Sequence, residues 1–287
     1  MKKALILLVL SLALIGCSNA SVNVNNPKES VLTIGENTFS KEHFFSIMMN
    51  QDPATLVIEM AKRIIMDEEL PVDDNIRAKA QEDLDYVKEL FGEAFLTNIS
   101  LYGFISEQDY FERALIPSAQ ESLLTEKFIQ ENFDLLVTTY SPRKVRIIEF
   151  NELTDATSAI EAIKSGGNVE EVANEYSTSV AYNGELYLVH NESGLPSAVS
   201  SFITQSDVPT LTNTPIEQES TGKYYVVQIV EVAASRFEDE VIEELSLLNS
   251  VNQMMFVNYF REGNFDVYDK AILDALKQSY EDYLPNR

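Results

Sequence analysis

The chain has 287 residues, of which 21 are Lys or Arg and 46 are Asp or Glu, giving a formal net charge of −25 at pH 7. That charge argues against nucleic acid as a partner, because neutralisation of phosphates by Lys and Arg supplies most of such affinity, and against adsorption onto anionic lipid headgroups. With 45% hydrophobic residues, 15 Phe and 13 Tyr, the chain has the material for a packed core, and its length suggests two compact units, or one interrupted by another.

Met1-Lys2-Lys3 precedes an unbroken apolar run from Ala4 that ends in Leu14-Ile15-Gly16-Cys17. Two lysines before a short apolar stretch form a secretory signal, too short to span a bilayer comfortably. The Leu-x-Gly-Cys ending looks like a bacterial lipobox, in which the cysteine thiol receives diacylglycerol and becomes the mature N-terminus. Cys17 is the only cysteine, so no disulfide partner or second thiol ligand competes for its role. The alternative is a plain secreted protein with an incidental cysteine. An acylated Cys17 places the chain outside the cytoplasm on the outer face of the cell membrane, with the acyl chains supplying the attachment. Ser18–Lys28, rich in Ser and Asn and without periodicity, reads as a tether.

Val31–Phe39 reads as a strand, a Gly-containing turn and a second strand, and Ser40 caps a helix carrying Phe44, Phe45, Ile47 and Met48. Ala54–Glu69 has Leu56, Val57, Met60, Ile64 and Ile65 at helical spacing and is stopped by Pro71. Asp74–Phe95 reads as one long helix with Leu84, Val87, Leu90, Phe91 and Phe95 on one face. Ser106-Glu107-Gln108-Asp109 caps the next, and Pro117 is expected to kink or divide it before Leu123, Leu124, Phe128 and Ile129. Tyr140-Ser141-Pro142 breaks the helical pattern.

From Lys144 the character changes. Val145–Phe150 is a strand, Asp155–Ser165 and Val169–Glu175 are helices, Gly184–His190 is a strand, Pro196–Phe202 a short helix and Lys223–Val232 a strong last strand. Helical spacing returns through Val241, Leu245, Leu248, Val251, Met254, Met255, Tyr259 and Phe260, and a final helix runs over Tyr268–Leu284. A helical region therefore flanks an α/β insert on both sides.

Few other constellations carry chemistry. The acidic clusters Asp67-Glu68-Glu69, Asp73-Asp74, Glu238-Asp239-Glu240 and Glu243-Glu244 lack the D-x-D-x-D-G spacing that wraps calcium, and read as solvated helix faces. His43 and His190, in separate regions, make neither a zinc triad nor a Ser-His pair. No cofactor or metal is expected. Met48, Met49, Met60, Met254 and Met255 read as core packing, with a surface that adapts to irregular apolar chains as the sharper alternative.

The order of elements resembles the extracytoplasmic foldases of the PrsA type and the SurA chaperone, in which a helical chaperone domain is split by a parvulin-type prolyl isomerase domain. Phe39-Ser40-Lys41-Glu42-His43-Phe44 resembles the family's "T-K-E-E-F" opening, and Gly103-Phe104-Ile105-Ser106-Glu107-Gln108-Asp109-Tyr110-Phe111 its "S-E-E-D-F" turn. Val169–Thr178 matches the parvulin "F-A-E-L-A-K-E-Y-S-T" helix almost position for position, and is the most specific piece. Gly184-Glu185-Leu186 corresponds to "G-D-L", and Tyr268–Leu284 looks like the closing helix.

The resemblance implies an α+β architecture: signal 1–16, lipidated tether 17–30, split helical chaperone domain 31–141 and 236–287, and a parvulin-like insert over 142–235. Its partners would be unfolded or newly exported proteins, and the membrane through Cys17; a homodimer is left open. The family's isomerase pocket holds two histidines on the first and last strands, a Cys or Asp beside them, and a Met and a Phe in the proline slot. Here those positions hold Arg146, Tyr225 and Ser179, with Ser193 and Ser197 in the slot, or Leu195 and Val199 under an alternative gap. His190 ends the middle strand, away from either family histidine. The expectation is a parvulin fold whose isomerase activity is weak or lost. The alternatives are an active isomerase in which Tyr225, Arg146 and His190 substitute for the missing groups, and a non-catalytic surface scaffold.

Overall fold

The computed structural model describes residues 24–285 except Glu36, Thr178 and Asn264. Cys17, the leader and most of the tether lie outside the described residues. The fold is α+β, and the chain divides into two compact units: residues up to Leu124 together with Asn252 onward, and Thr125–Val251.

The first unit opens with an antiparallel hairpin, β1 (Ser30–Ile34) and β2 (Asn37–Ser40), turned at Gly35 with φ +61°. Ser40 Oγ accepts from His43 N and starts α1 (Lys41–Gln51). None of the residues of α1 is buried. Asp52 caps α2 (Pro53–Glu69), whose inward face carries Ala54, Ile58 and Met66. The end of α2 is held by Gln120, a buried amide that donates to Leu70 O at 2.8 Å and Asp67 Oδ1 at 3.2 Å.

The long helix expected over Asp74–Phe95 is shorter. Helix α3 (Asp74–Phe91) ends at Gly92, whose φ of +50° stops the helical path. A 3-10 turn (Gly92–Ala94) leads into a separate α4 (Phe95–Leu101). Phe95 and Ile99 then pack with Ile76, Ala80 and Leu84, while Leu90 and Phe91 stay exposed instead of joining the buried face. Ser106 caps α5 (Glu107–Tyr110), and Asp109 reaches back to Ile105 N.

Pro117 acts one turn upstream. Its missing N–H and its ring displace the carbonyl four residues back, and the helix relaxes through a π turn (Phe111–Leu115) before α6 (Ile116–Glu131). The freed Arg113 O lies 3.5 Å from Arg63 Nη2. From the far end of the chain come α12 (Asn249–Glu262) and α13 (Lys270–Ser279), the latter shorter than the predicted Tyr268–Leu284 because the chain leaves the helix at Tyr280. Tyr280 bonds Thr55 of α2 at 2.6 Å, and Phe260 packs edge-on against Phe265 and Tyr283. Met255 is fully buried and Met60 exposed, so the methionines divide between core and surface.

The second unit is built on an antiparallel sheet in the order β4 (Asn183–Val189), β3 (Arg143–Phe150), β7 (Lys223–Glu231), β5 (Thr210–Leu211), with β6 (Ile216–Gln218) also paired to β7. Alternation along the strands sends successive side chains to opposite faces. Ile148, Phe150 and Val226 face α8 (Leu153–Lys164) and α9 (Val169–Tyr176). Val145, Ile147, Tyr225, Val227 and Ile229 face the other way, toward α10 (Ser197–Thr204). The unit also includes α7 (Phe133–Tyr140) and α11 (Glu238–Ser246), so it reaches beyond the 142–235 stretch of the sequence reading. Asn168 caps α9 by accepting from Glu170 N and Glu171 N.

Gly184 opens β4 with φ +83°, and a Cβ there would lie 3.0 Å from Val169 O and 3.1 Å from Ala173 Cβ. Both the backbone conformation and the approach of α9 require glycine. Gly184→Ala is expected to lower stability by about 1–3 kcal/mol, read as a shifted denaturation midpoint with an unchanged slope. An unshifted midpoint would mean that α9 moves aside freely.

Candidate functional site

The strand pairing decides which candidates meet. Glu149 of β3 lies opposite Tyr225 of β7, and Arg146 opposite Gln228. Tyr225 therefore shares a face with Glu149, while Arg146 points to the α9 side. There its guanidinium donates to Glu170 Oε1 at 2.5 Å and to Gly184 O at 2.7 Å. Arg146 is thus a strut between β3, β4 and α9, and does not share a pocket with Tyr225.

Tyr225 is only 3% exposed. Its hydroxyl lies 2.9 Å from Glu149 Oε2 and 3.1 Å from Gln218 Oε1, and the single proton goes to the carboxylate. Burial and the Glu149 carboxylate together push the phenol's pKa up, so it stays protonated. Lys223 Nζ completes the group at 3.3 Å from Glu149 Oε1 and 2.5 Å from Asn151 Oδ1. Tyr182 stands edge-on to Tyr225, ring centroids 6.0 Å apart. Ser179 Oγ accepts from Tyr182 N at 3.3 Å, which brings Ser179 to the border of this group through Tyr182. Arg146 is left out.

Glu149, Gln218, Lys223 and Tyr182 were not singled out in the sequence. One signal was present: a carboxylate inside the apolar strand Val145–Phe150 needs a partner when the strand is buried. The pairing that supplies Tyr225 and Lys223, however, comes from residues more than 70 positions away.

The slot candidates are otherwise engaged. Ser193 Oγ accepts from His190 N at 2.8 Å, tying the turn after β4. Ser197 is exposed at the start of α10, and Val199 is fully buried in the sheet core. Leu195 and Phe202 are partly buried beside it. This face holds aliphatic and aromatic side chains around a hydrogen-bonded tyrosine.

His190 is buried and sits apart from Tyr225. Its Nδ1 accepts from Glu192 N at 3.1 Å, which puts the ring proton on Nε2, 3.7 Å from Glu244 Oε1 of α11. Its ring is edge-on to Tyr140 of α7. Tyr140 donates to Ser250 Oγ, which donates to Glu192. Among the described residues no group of three His, Cys, Asp or Glu side chains is placed to hold a metal ion.

No protein-family model matches the chain, and no curated protein matches it. Among solved structures it is similar to the foldase protein PrsA from Streptococcus pneumoniae, at 16% identity and a TM-score of 0.48, covering 89% of this chain and 100% of that one. The peptidylprolyl isomerase PrsA from Bacillus cereus aligns at 18% identity and a TM-score of 0.48, covering 88% and 99%. PrsA from Bacillus subtilis aligns at 17% and 0.41, covering 88% and 100%.

Burial lowers the basicity of His190 against the opposing pull of Glu244 and Glu192. The unfolded chain then binds more protons than the folded one between the lowered value and the ordinary 6.5. Stability contributed by the neutral ring is complete above pH 6.5 and falls as acid protonates it. Melting temperature should fall between about pH 7 and pH 5, and His190→Gln should flatten that part of the curve. An equal fall in wild type and variant would assign the effect elsewhere.

Proposed function

We propose that this chain is a membrane-anchored extracytoplasmic folding factor of the PrsA type that holds newly exported proteins, with a parvulin-like insert whose isomerase activity is weak or lost. The observation that carries the holding role is the apolar surface of the first unit. Phe44, Ile47, Met60, Ile64, Leu96 and Ile105 are all exposed, the last at 91%. Such side chains are normally scattered singly in a soluble chain; here they recur along α1, α2, α4 and the loop after it. Unfolded chains expose the matching apolar surface, and binding keeps them from aggregating. The acidic exterior keeps the loaded complex in solution.

The reading of the insert rests on Arg146 and Tyr225. Rotation about an X-Pro bond has a barrier near 20 kcal/mol, and a pocket lowers it by gripping the ring and altering hydrogen bonds to the carbonyl. The Arg146 guanidinium is committed to Glu170 and Gly184, and the Tyr225 hydroxyl to Glu149. The Tyr225 hydroxyl would have to leave Glu149 before donating to a substrate carbonyl, and Arg146 is held on the α9 side through its Nη1.

The full chain is expected to suppress aggregation of a secreted test protein at equimolar ratio while leaving X-Pro isomerisation in a peptide panel at the uncatalysed rate. No suppression with any client would remove the holding role. Isomerisation accelerated by the protein and lost in Tyr225→Phe or Arg146→Ala would make it an enzyme.

Attachment through Cys17 belongs to the same proposal. No helix among the described residues is long and apolar enough to cross a membrane, and the Leu14–Cys17 pattern supports an acyl anchor. Cys17→Ser should release the protein from the membrane fraction and abolish incorporation of labelled palmitate. Continued membrane retention of the variant would point to another anchor.

A further inference from the structure

The first unit contains a cleft of about 380 Å³ between α2 and the end of α12, lined by Ala61, Ile64, Ile65, Tyr259, Phe260 and Phe265. Its wall mixes buried rings (Tyr259 and Phe260) with Ile64, which is 58% exposed. Three carboxylates, Glu68, Glu69 and Glu262, stand along the same cleft. Glu68 and Glu262 are exposed and make no ion pair or hydrogen bond with any of the described residues. Among the described residues no Lys or Arg lines it. An apolar surface that admits a large side chain is thus bordered by two carboxylates, Glu68 and Glu262, that no described residue of the protein neutralises.

We infer that this cleft selects cationic segments: an extended client stretch with a large aromatic or branched side chain seated against Ile64, Ile65 and Phe265, and a neighbouring Lys or Arg paired to Glu68 or Glu262. The inference rests on the holding role proposed above and names the class of segment held. Charges beside a low-dielectric wall interact more strongly than in open water. An acidic segment would meet like charge on entry, which discriminates against it more than the contacts reward the right partner. The cluster Asp67-Glu68-Glu69, without calcium-loop spacing, has a use in this arrangement. Asp67 accepts from Gln120, and Glu68 is left for the ligand.

The test uses the full chain and fluorescent peptides sharing one aromatic-aliphatic core, flanked by Lys, Ser or Glu, with binding read by anisotropy. Lys-flanked peptide is expected to bind about five-fold tighter than the Ser-flanked one, and Glu-flanked more weakly. Glu68→Gln with Glu262→Gln should bring the Lys-flanked affinity down to the Ser-flanked value and leave the latter unchanged. Glu82→Gln with Glu89→Gln, exposed on α3 and equal in net charge, should preserve the preference. Ile64→Ser should weaken every peptide. If the Glu68/Glu262 variant keeps the full preference, or if Ile64→Ser changes nothing, the selectivity does not reside in this cleft and the inference falls. In that case peptides still bind and aggregation is still suppressed, so the holding role stands. Absence of binding by every peptide together with no suppression would overturn both.

Discussion

Glu149 opposite Tyr225, Ile148 opposite Val226 and Ile147 opposite Val227 are three consecutive pairs of one antiparallel ladder, and the whole second unit depends on that register. It assigns Ile148, Phe150 and Val226 to the face covered by α8 and α9, and Val145, Ile147 and Val227 to the face covered by α10. A slip by one residue would exchange the two sets and bring Glu149 into the α8–α9 core. The register also fixes the chemistry. It delivers the Tyr225 hydroxyl to Glu149 at 2.9 Å and turns Arg146 to Glu170 on the opposite side. Tyr225 and Arg146 thereby become parts of the frame. Removing either partner of Tyr225–Glu149 throws the other back on its remaining contact, Glu149 on Lys223 or Tyr225 on Gln218, in a mostly buried place.

The first unit obeys a different constraint. It is assembled from both ends of the chain, with Thr55 of α2 bonded to Tyr280 just past α13, and much of its apolar surface is left outside the core. Burial of Ile58, Ile76, Leu84, Phe95 and Leu276 holds the helices together, while Phe44, Ile47 and Met60 on α1 and α2 contribute nothing to that core. A chain with 46 acidic residues tolerates this exposure because like-charged molecules repel one another before their apolar patches meet.

Much of this was legible in the sequence where the signal is local. Ser40 and Ser106 each precede a helix and each accepts the expected backbone N–H bond. The strands Val145–Phe150 and Lys223–Val232 are runs of β-branched and aromatic residues, and both form within a residue or two of the expected limits. What was not legible depends on partners distant in sequence or on backbone conformation. Gly92 inside a strongly helical pattern reads as a tolerated glycine until φ +50° makes it a stop. Leu211 and Ile216 sit in strands too short to carry a period, and they become strands only because β7 offers them an edge. The Tyr225 position was found by resemblance, but its partner Glu149 lies 76 positions away and appears only with the register.

The split arrangement has its own energetic logic. Joining Thr55 to Tyr280 closes a separation of 225 residues, and the entropic cost of closure grows with the logarithm of the loop. Within the second unit Tyr140 is bonded to Ser250, 110 positions apart, at 3.0 Å. Once that unit is folded, a long stretch of the loop between α2 and α13 is already closed. The two halves of the first unit then search as if joined by a much shorter chain. The contact between Tyr140 and Ser250 runs on through Glu192 to the turn that carries His190. The hydrogen-bonded chain that starts at the His190 turn therefore includes the contact that shortens this search. Apart from any chemistry at Tyr225 or Arg146, this unit brings Ser250, at the start of α12, back to the end of α7.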